Sequence, residues 1–197
     1  MTRSDPPTLS KSWYALTPLW EGGPETVRQG LPHEQLAPAW QLMLLGDGSP
    51  TRHLRLLTRE AIAVDVTDMS PIGEAWDGAP EAIQLLPGPK LRRQVWLRTA
   101  SGTQLAYAVS WWHTAQADAY LANWSLPVWD NLSRWQAELF RDIRGICYGQ
   151  ASALEAAWRE QGPFWGRHYL FWHQGQPLTL IYEVFSPYLR HYLGLPN

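Results

Sequence analysis

The sequence predicts a single α+β domain built on an antiparallel sheet of about six strands, and three observations predict it. One helical pattern stands near the N-terminus, over residues 33–45. After it come strand-like segments joined by tight turns, LRRQVWLRT-ASG-TQLAYAVSWW over 91–112 and FWGRHYLFWH-QGQP-LTLIYEVF over 164–185. The remaining helical patterns are short and inserted between such hairpins, an order that belongs to the α+β class.

Residues 1–33 are rich in Pro, Gly and polar residues, with isolated Trp13, Tyr14 and Trp20, and predict an irregular arm anchored by its aromatics. We set the arm at 1–35 and the domain proper at 36–197. From His33 to Leu45, Leu36, Ala39, Trp40, Met43 and Leu44 recur at helical spacing, Pro38 lies in the first turns where proline is tolerated, and Gly46–Pro50 stops the helix. From Thr51 the pattern predicts strand, with Ile62, Val64 and Val66 on one face. Pro and Gly punctuate 70–89 as loop. Short helices are expected over 116–123 and 131–139, a strand over 139–148, a helix over 152–161 and an aromatic tail over 188–195.

Composition narrows the function classes. A net charge of −2 argues against nucleic acid or an anionic membrane surface as partner. No run of about 18 apolar residues exists to span a membrane, and the N-terminus shows no signal peptide, so the expected location is the cytoplasm. The single Cys147 allows neither an intramolecular disulfide nor a thiolate metal site. Thirteen tryptophans exceed ordinary usage; filling of a core and ligand cavity is the favoured explanation, a membrane-adjacent or oligomeric surface the other. A monomer is favoured.

Two charges fall where strand periodicity expects apolar residues. In 178–185, Thr179, Ile181, Glu183 and Phe185 share one face and Leu178, Leu180, Tyr182 and Val184 the other, so Glu183 is the sole formal charge in a strand buried on both sides. It needs a partner or a proton. In 91–99, Arg93 shares a face with Leu91, Val95 and Leu97, while Arg92, Gln94, Trp96 and Arg98 form a face that looks solvated. A guanidinium on an apolar face suits a planar anion. Spacing leaves two readings open, a ligand clamp or a buried Arg93–Glu183 ion pair. The six histidines are scattered, and no phosphate loop, nucleophile elbow or metal spacing is present.

In LMLLGDGSPTRHL, LRRQVWL with GTQLAYAVS, NLSRW and FWGRHYLFWHQGQPLTLIYEVF, taken in that order over residues 39–189, the chain resembles the chorismate pyruvate-lyase family. The resemblance implies an antiparallel sheet with helices and a buried ligand site under flap-like segments. It also implies cofactor- and metal-free elimination of enolpyruvate from chorismate, giving 4-hydroxybenzoate and pyruvate for ubiquinone or plastoquinone synthesis. The family's ligand arginine falls on Arg93 and its acidic residue on Glu183. Two backbone contacts fall on Leu132 and on Pro50 or its neighbour Ser49. Proline has no N–H, so at Pro50 the contact either shifts register or is lost. The resemblance implies that Arg93 binds a substrate carboxylate and that Glu183, in apolar surroundings that bring a carboxyl group nearer neutrality, handles the proton. The same general fold serves as the effector-sensing domain of some transcription regulators, so the alternative is a non-catalytic binding or sensor module for a small aromatic carboxylate.

Overall fold

A computed structural model describes residues 13–30, 36–121, 123–133 and 139–194. Among these residues seven strands form one antiparallel sheet: β1 (Thr17–Gly22), β2 (Ile62–Gly73), β3 (Lys90–Thr99), β4 (Gln104–His113), β5 (Leu139–Gln150), β6 (Phe164–His173) and β7 (Gln176–Phe185), in the order β1-β5-β6-β7-β4-β3-β2. The expected count of about six misses β1, a six-residue edge strand on β5 drawn from the segment read as an arm. Residues 1–12 and 31–35 of the predicted arm lie outside the described residues, the last three of them also opening the first predicted helix, as do residue 122 of the second predicted helix, 134–138 of the third and the last residue of the tail.

Among the described residues, seven short helices accompany the sheet: α1 (Pro24–Gln29), α2 (Pro38–Leu45), α3 (Pro50–Thr58), α4 (Thr114–Tyr120), α5 (Val128–Ser133), α6 (Ser152–Trp158) and α7 (Arg190–Leu193). The strand expected from Thr51 begins only at Ile62, because residues 50–58 form α3. Ser49 caps α3, its hydroxyl accepting from the Arg52 N–H, and Pro50 occupies the first turn, where its missing N–H costs nothing. Leu54 is fully buried on the inner face of α3 while Leu56 is exposed, so the alternation read as strand is one flank of a helix. The loop expected over 70–89 holds the end of β2 and a 3-10 turn at Glu81–Leu85.

Two hydrophobic layers cover the two faces of the sheet. On one, Trp40, Met43, Leu44, Leu54, Val95, Leu97, Trp112, Leu132, Ile143, Tyr169, Ile181 and Phe185 pack beneath α2, α3 and α5. On the other, Trp13, Leu16, Ile83, Trp96, Tyr107, Trp111, Leu154, Tyr182 and Val184 pack beneath the N-terminal segment and α6. The face of β3 that looks solvated in the sequence is therefore a second core: Arg92, Gln94 and Trp96 are buried, and Arg98 is half-buried. Arg92 stays charged there because it pairs with Asp77 and Asp68, at 2.8 and 2.9 Å. Trp13, Trp40, Trp96, Trp111, Trp112 and Trp165 are all buried, so much of the tryptophan excess fills these layers. No helix of the described residues is long and apolar enough to cross a membrane.

The second face carries a pH-dependent term. His168 on β6 lies opposite Gly145, where a β-carbon would sit 2.4 Å from the imidazole, so a larger residue there would force the ring to shift. Burial, with Arg144 nearby, pushes its pKa down to about 4. Below about pH 6.5 the unfolded chain takes up a proton that the folded chain refuses until about pH 4. Stability should therefore fall by about 2–3 kcal/mol across that window and level off beneath it. Denaturant titrations from pH 7 to 4 should show this fall in the wild type and a flatter profile in His168→Gln; parallel profiles would contradict it.

Candidate active site

The hairpin β6–β7 sets the acidic side of the site. Gln174 and Gly175 both take positive φ, the two-residue turn that matches strand twist, and β7 carries one extra residue between the pairs Phe171–Thr179 and Trp172–Pro177. That bulge shifts the register by one and sets Arg167 directly opposite Glu183. Glu183 is 5% exposed and Arg167 fully buried. Arg167 Nε donates to Glu183 Oε2 at 3.0 Å, and Tyr169 Oη donates to Oε1 at 2.8 Å. Burial, with the Glu183 charge beside it, raises the Tyr169 pKa, which keeps the phenol a donor. Arg167 Nη1 turns the other way and donates to the carbonyls of Met43 and Leu44, both at 2.9 Å, at the C-terminal end of α2. One guanidinium thus satisfies orphan helix carbonyls and neutralises the buried carboxylate.

Glu183 is not paired with Arg93, which corrects the ion-pair reading. The reason is register: β4 lies between their strands, with Arg93 opposite Ser110 and Glu183 opposite Ala108. Two strand spacings across and two residues along place their backbones roughly 12 Å apart. Both side chains nevertheless line one cavity, with Ser49, Pro50, Thr51, Val95, Ala108, Trp129, Arg141, Tyr169 and Ile181 among the other walls.

Arg93 is 2% exposed and has no carboxylate partner among the described residues. Its Nη2 donates to the Trp124 and Leu126 carbonyls at 2.6 and 3.0 Å, holding the loop before α5 over the cavity, and its buried Nε has no partner. Burial without a compensating anion pushes its pKa down to about 10, so it remains cationic at neutral pH. Asn131 clamps the same loop through Asn123 and Pro127. The cavity encloses about 40 Å3, room for a few water molecules.

Of the residues expected at the site, Arg93, Glu183, Ser49 and Pro50 line the cavity. Leu132 is fully buried in the core beside it, and α5 meets the cavity through Val128 and Trp129 instead. At the turn into α3, Thr51 supplies the first backbone N–H after Pro50 and also lines the cavity. Sequence reasoning missed Arg167, Tyr169 and Arg141. For Arg167 a signal existed: Trp165, Arg167, Tyr169 and Phe171 alternate as one face of β6, the pattern that singled out Arg93.

A family model described as "Chorismate pyruvate-lyase Rv2949c-like" matches residues 44–193. The chain belongs to this family. The Rv2949c-like match spans both the α3 turn and the β6–β7 hairpin, so all the cavity residues named above fall within it. Two relatives named uncharacterized protein ycf21 are each 33% identical: that of Cyanophora paradoxa over 87% of this chain and 89% of its own, that of Porphyra purpurea over 78% and 83%. The effector domain of PhnF from Mycobacterium smegmatis superposes with a TM-score of 0.55 at 13% identity, covering 73% of this chain and 91% of that one. The longer PhnF structure gives a TM-score of 0.54 at 12% identity, and the chain spans 65% of it. At such identity the likeness is one of fold.

Proposed function

We propose that this member of the Rv2949c-like family is a chorismate pyruvate-lyase, forming 4-hydroxybenzoate and pyruvate in the cytoplasm for a ubiquinone or plastoquinone head group. The observation that supports it most is that Arg93 and Glu183, from different strands, line the same largely apolar cavity while Arg93 holds no carboxylate of the protein. In the reaction the C4 proton leaves the ring, the C3–O bond breaks with its electron pair departing as enolpyruvate, and protonation of that enol's carbon gives pyruvate. The ring becomes aromatic, so the elimination is driven from within the substrate.

Arg93 takes the ring carboxylate, for which its buried Nε, without a partner among the described residues, is available. Glu183 accepts one bond on each oxygen from Arg167 and Tyr169, and each oxygen keeps a lone pair for the C4 hydroxyl. From there it acts as the base for the departing proton and returns it to the leaving group. Thr51 N–H takes the role that Pro50 has no proton to fill. A ten-carbon diacid exceeds the present cavity, so entry requires movement of the loop 123–127, and a ligand carboxylate competes with its carbonyls for Arg93.

Replacing Arg93 by Ala should weaken 4-hydroxybenzoate binding 10–100-fold in calorimetry, the value of a charge-assisted pair, with a change in Tm of only a few degrees. Loss of folding with ligand affinity intact would assign Arg93 to structure alone. The fold likeness to the PhnF effector domain supports a second reading, a sensor that binds the aromatic acid without turnover. Chorismate consumption separates the two.

A further inference from the structure

Arg141 is a second guanidinium in the same cavity that the proposed roles leave unused. It enters from β5, is 5% exposed, and pairs with no carboxylate among the described residues. Its Nη1 donates to the Gly48 carbonyl at 2.6 Å, and its buried Nε has no partner. The group stacks 4.4 Å from the Tyr169 ring and 4.8 Å from that of Phe171, which fixes its plane. Its bond to Gly48 sets it beside the start of α3, where the Thr51 N–H also borders the cavity.

Four strand steps separate β5 from β3 in the sheet order, about 19 Å between backbones. The two free guanidiniums therefore approach the cavity from opposite sides, with Glu183 on the strand midway between them. A buried cation without an anion carries a desolvation cost that a ligand charge relieves. One monocarboxylate relieves only one of the two.

The geometry points to a site built for a dicarboxylate, in which Arg141, with Thr51 N–H, binds the second carboxylate, the one that departs with pyruvate. This rests on the lyase reading for the identity of the substrate. It implies that the two products are held at separate poles, 4-hydroxybenzoate on Arg93 and pyruvate on Arg141.

The test uses two non-reacting probes, 3-(carboxymethoxy)benzoate as the diacid and 3-methoxybenzoate as the monoacid, titrated by calorimetry into wild type, Arg141→Gln and Arg141→Lys. Wild type should prefer the diacid at least tenfold. Arg141→Gln should bring the two acids within threefold of each other by losing diacid affinity, leaving the monoacid within threefold of wild type. Arg141→Lys retains the charge without the fork, so its preference should fall severalfold. Equal affinities in wild type, an equal loss of both acids in Arg141→Gln, or an undiminished preference in Arg141→Lys would each overturn the assignment. Arg141→Lys decides the matter if Arg141→Gln does not fold. None of these readings depends on turnover, so a protein inert toward chorismate that still prefers the diacid would overturn the lyase reading alone.

Discussion

Glu183→Gln is expected to lose about 10²–10⁴-fold in chorismate turnover, the span of one general acid–base group, while binding 4-hydroxybenzoate within about tenfold of wild type. The amide keeps the size of the carboxyl group and can still accept from Tyr169, so the cavity keeps its shape. It cannot take a proton. The same change leaves the fully buried Arg167 without its counter-charge, and breaking a buried pair by one partner costs about 3–5 kcal/mol. Against a typical total of about 5–15 kcal/mol the variant should fold with a clearly lower Tm. Binding must therefore be measured on the folded variant before turnover is interpreted. Release of 4-hydroxybenzoate at near wild-type rate would remove Glu183 from the chemistry.

Arg167→Met is expected to have the largest effect on stability. It strands Glu183 as a buried carboxylate and leaves the Met43 and Leu44 carbonyls at the end of α2 without their donor. A loss of about 3–5 kcal/mol follows from the unpaired charge, and each lost bond to a carbonyl adds about 1 kcal/mol. The double variant Arg167→Met with Glu183→Gln removes both charges and should recover part of the loss, a coupling that urea denaturation of the four proteins would measure. A double variant with the two single losses simply summed would show that the pair is not coupled.

Much of this was legible in the sequence, and the parts that were not share a cause. Period-2 alternation identified β3, β4, β6 and β7 and set Arg93 and Glu183 on apolar faces, because strand side chains alternate whatever their neighbours. Which strands pair, and in what register, is not a local property. Counting back from the Gln174–Gly175 turn pairs Arg167 with Tyr182; only the extra residue in β7 moves it opposite Glu183. Spacing alone therefore offers Arg93, two strands away, as one of two readings for the partner of Glu183. The second core has the same origin: Arg92, Gln94 and Trp96 read as a wet face until Asp68, Asp77 and the N-terminal segment cover them. Helix α3 was missed because Leu54 and Leu56 fit alternation, although Ser49-Pro50 is a helix start.

Arg93 holds the loop 123–127 by two carbonyls, for which a carboxylate bound as proposed would compete. In the proposed function, binding and opening would be coupled at one guanidinium, and Asn131 gives the loop a second anchor on α5.

The central claim is that this cavity consumes chorismate. The most direct measurement is incubation of the purified wild-type protein with chorismate and no added metal, following both products by absorbance and by a coupled pyruvate assay. The proposed reaction yields 4-hydroxybenzoate and pyruvate in equal amounts, at a rate about 10²–10⁴-fold lower in Glu183→Gln. Intact chorismate beside tight binding of 4-hydroxybenzoate would contradict it in favour of a sensor, and formation of 3-hydroxybenzoate would contradict the proposed fate of the C4 proton.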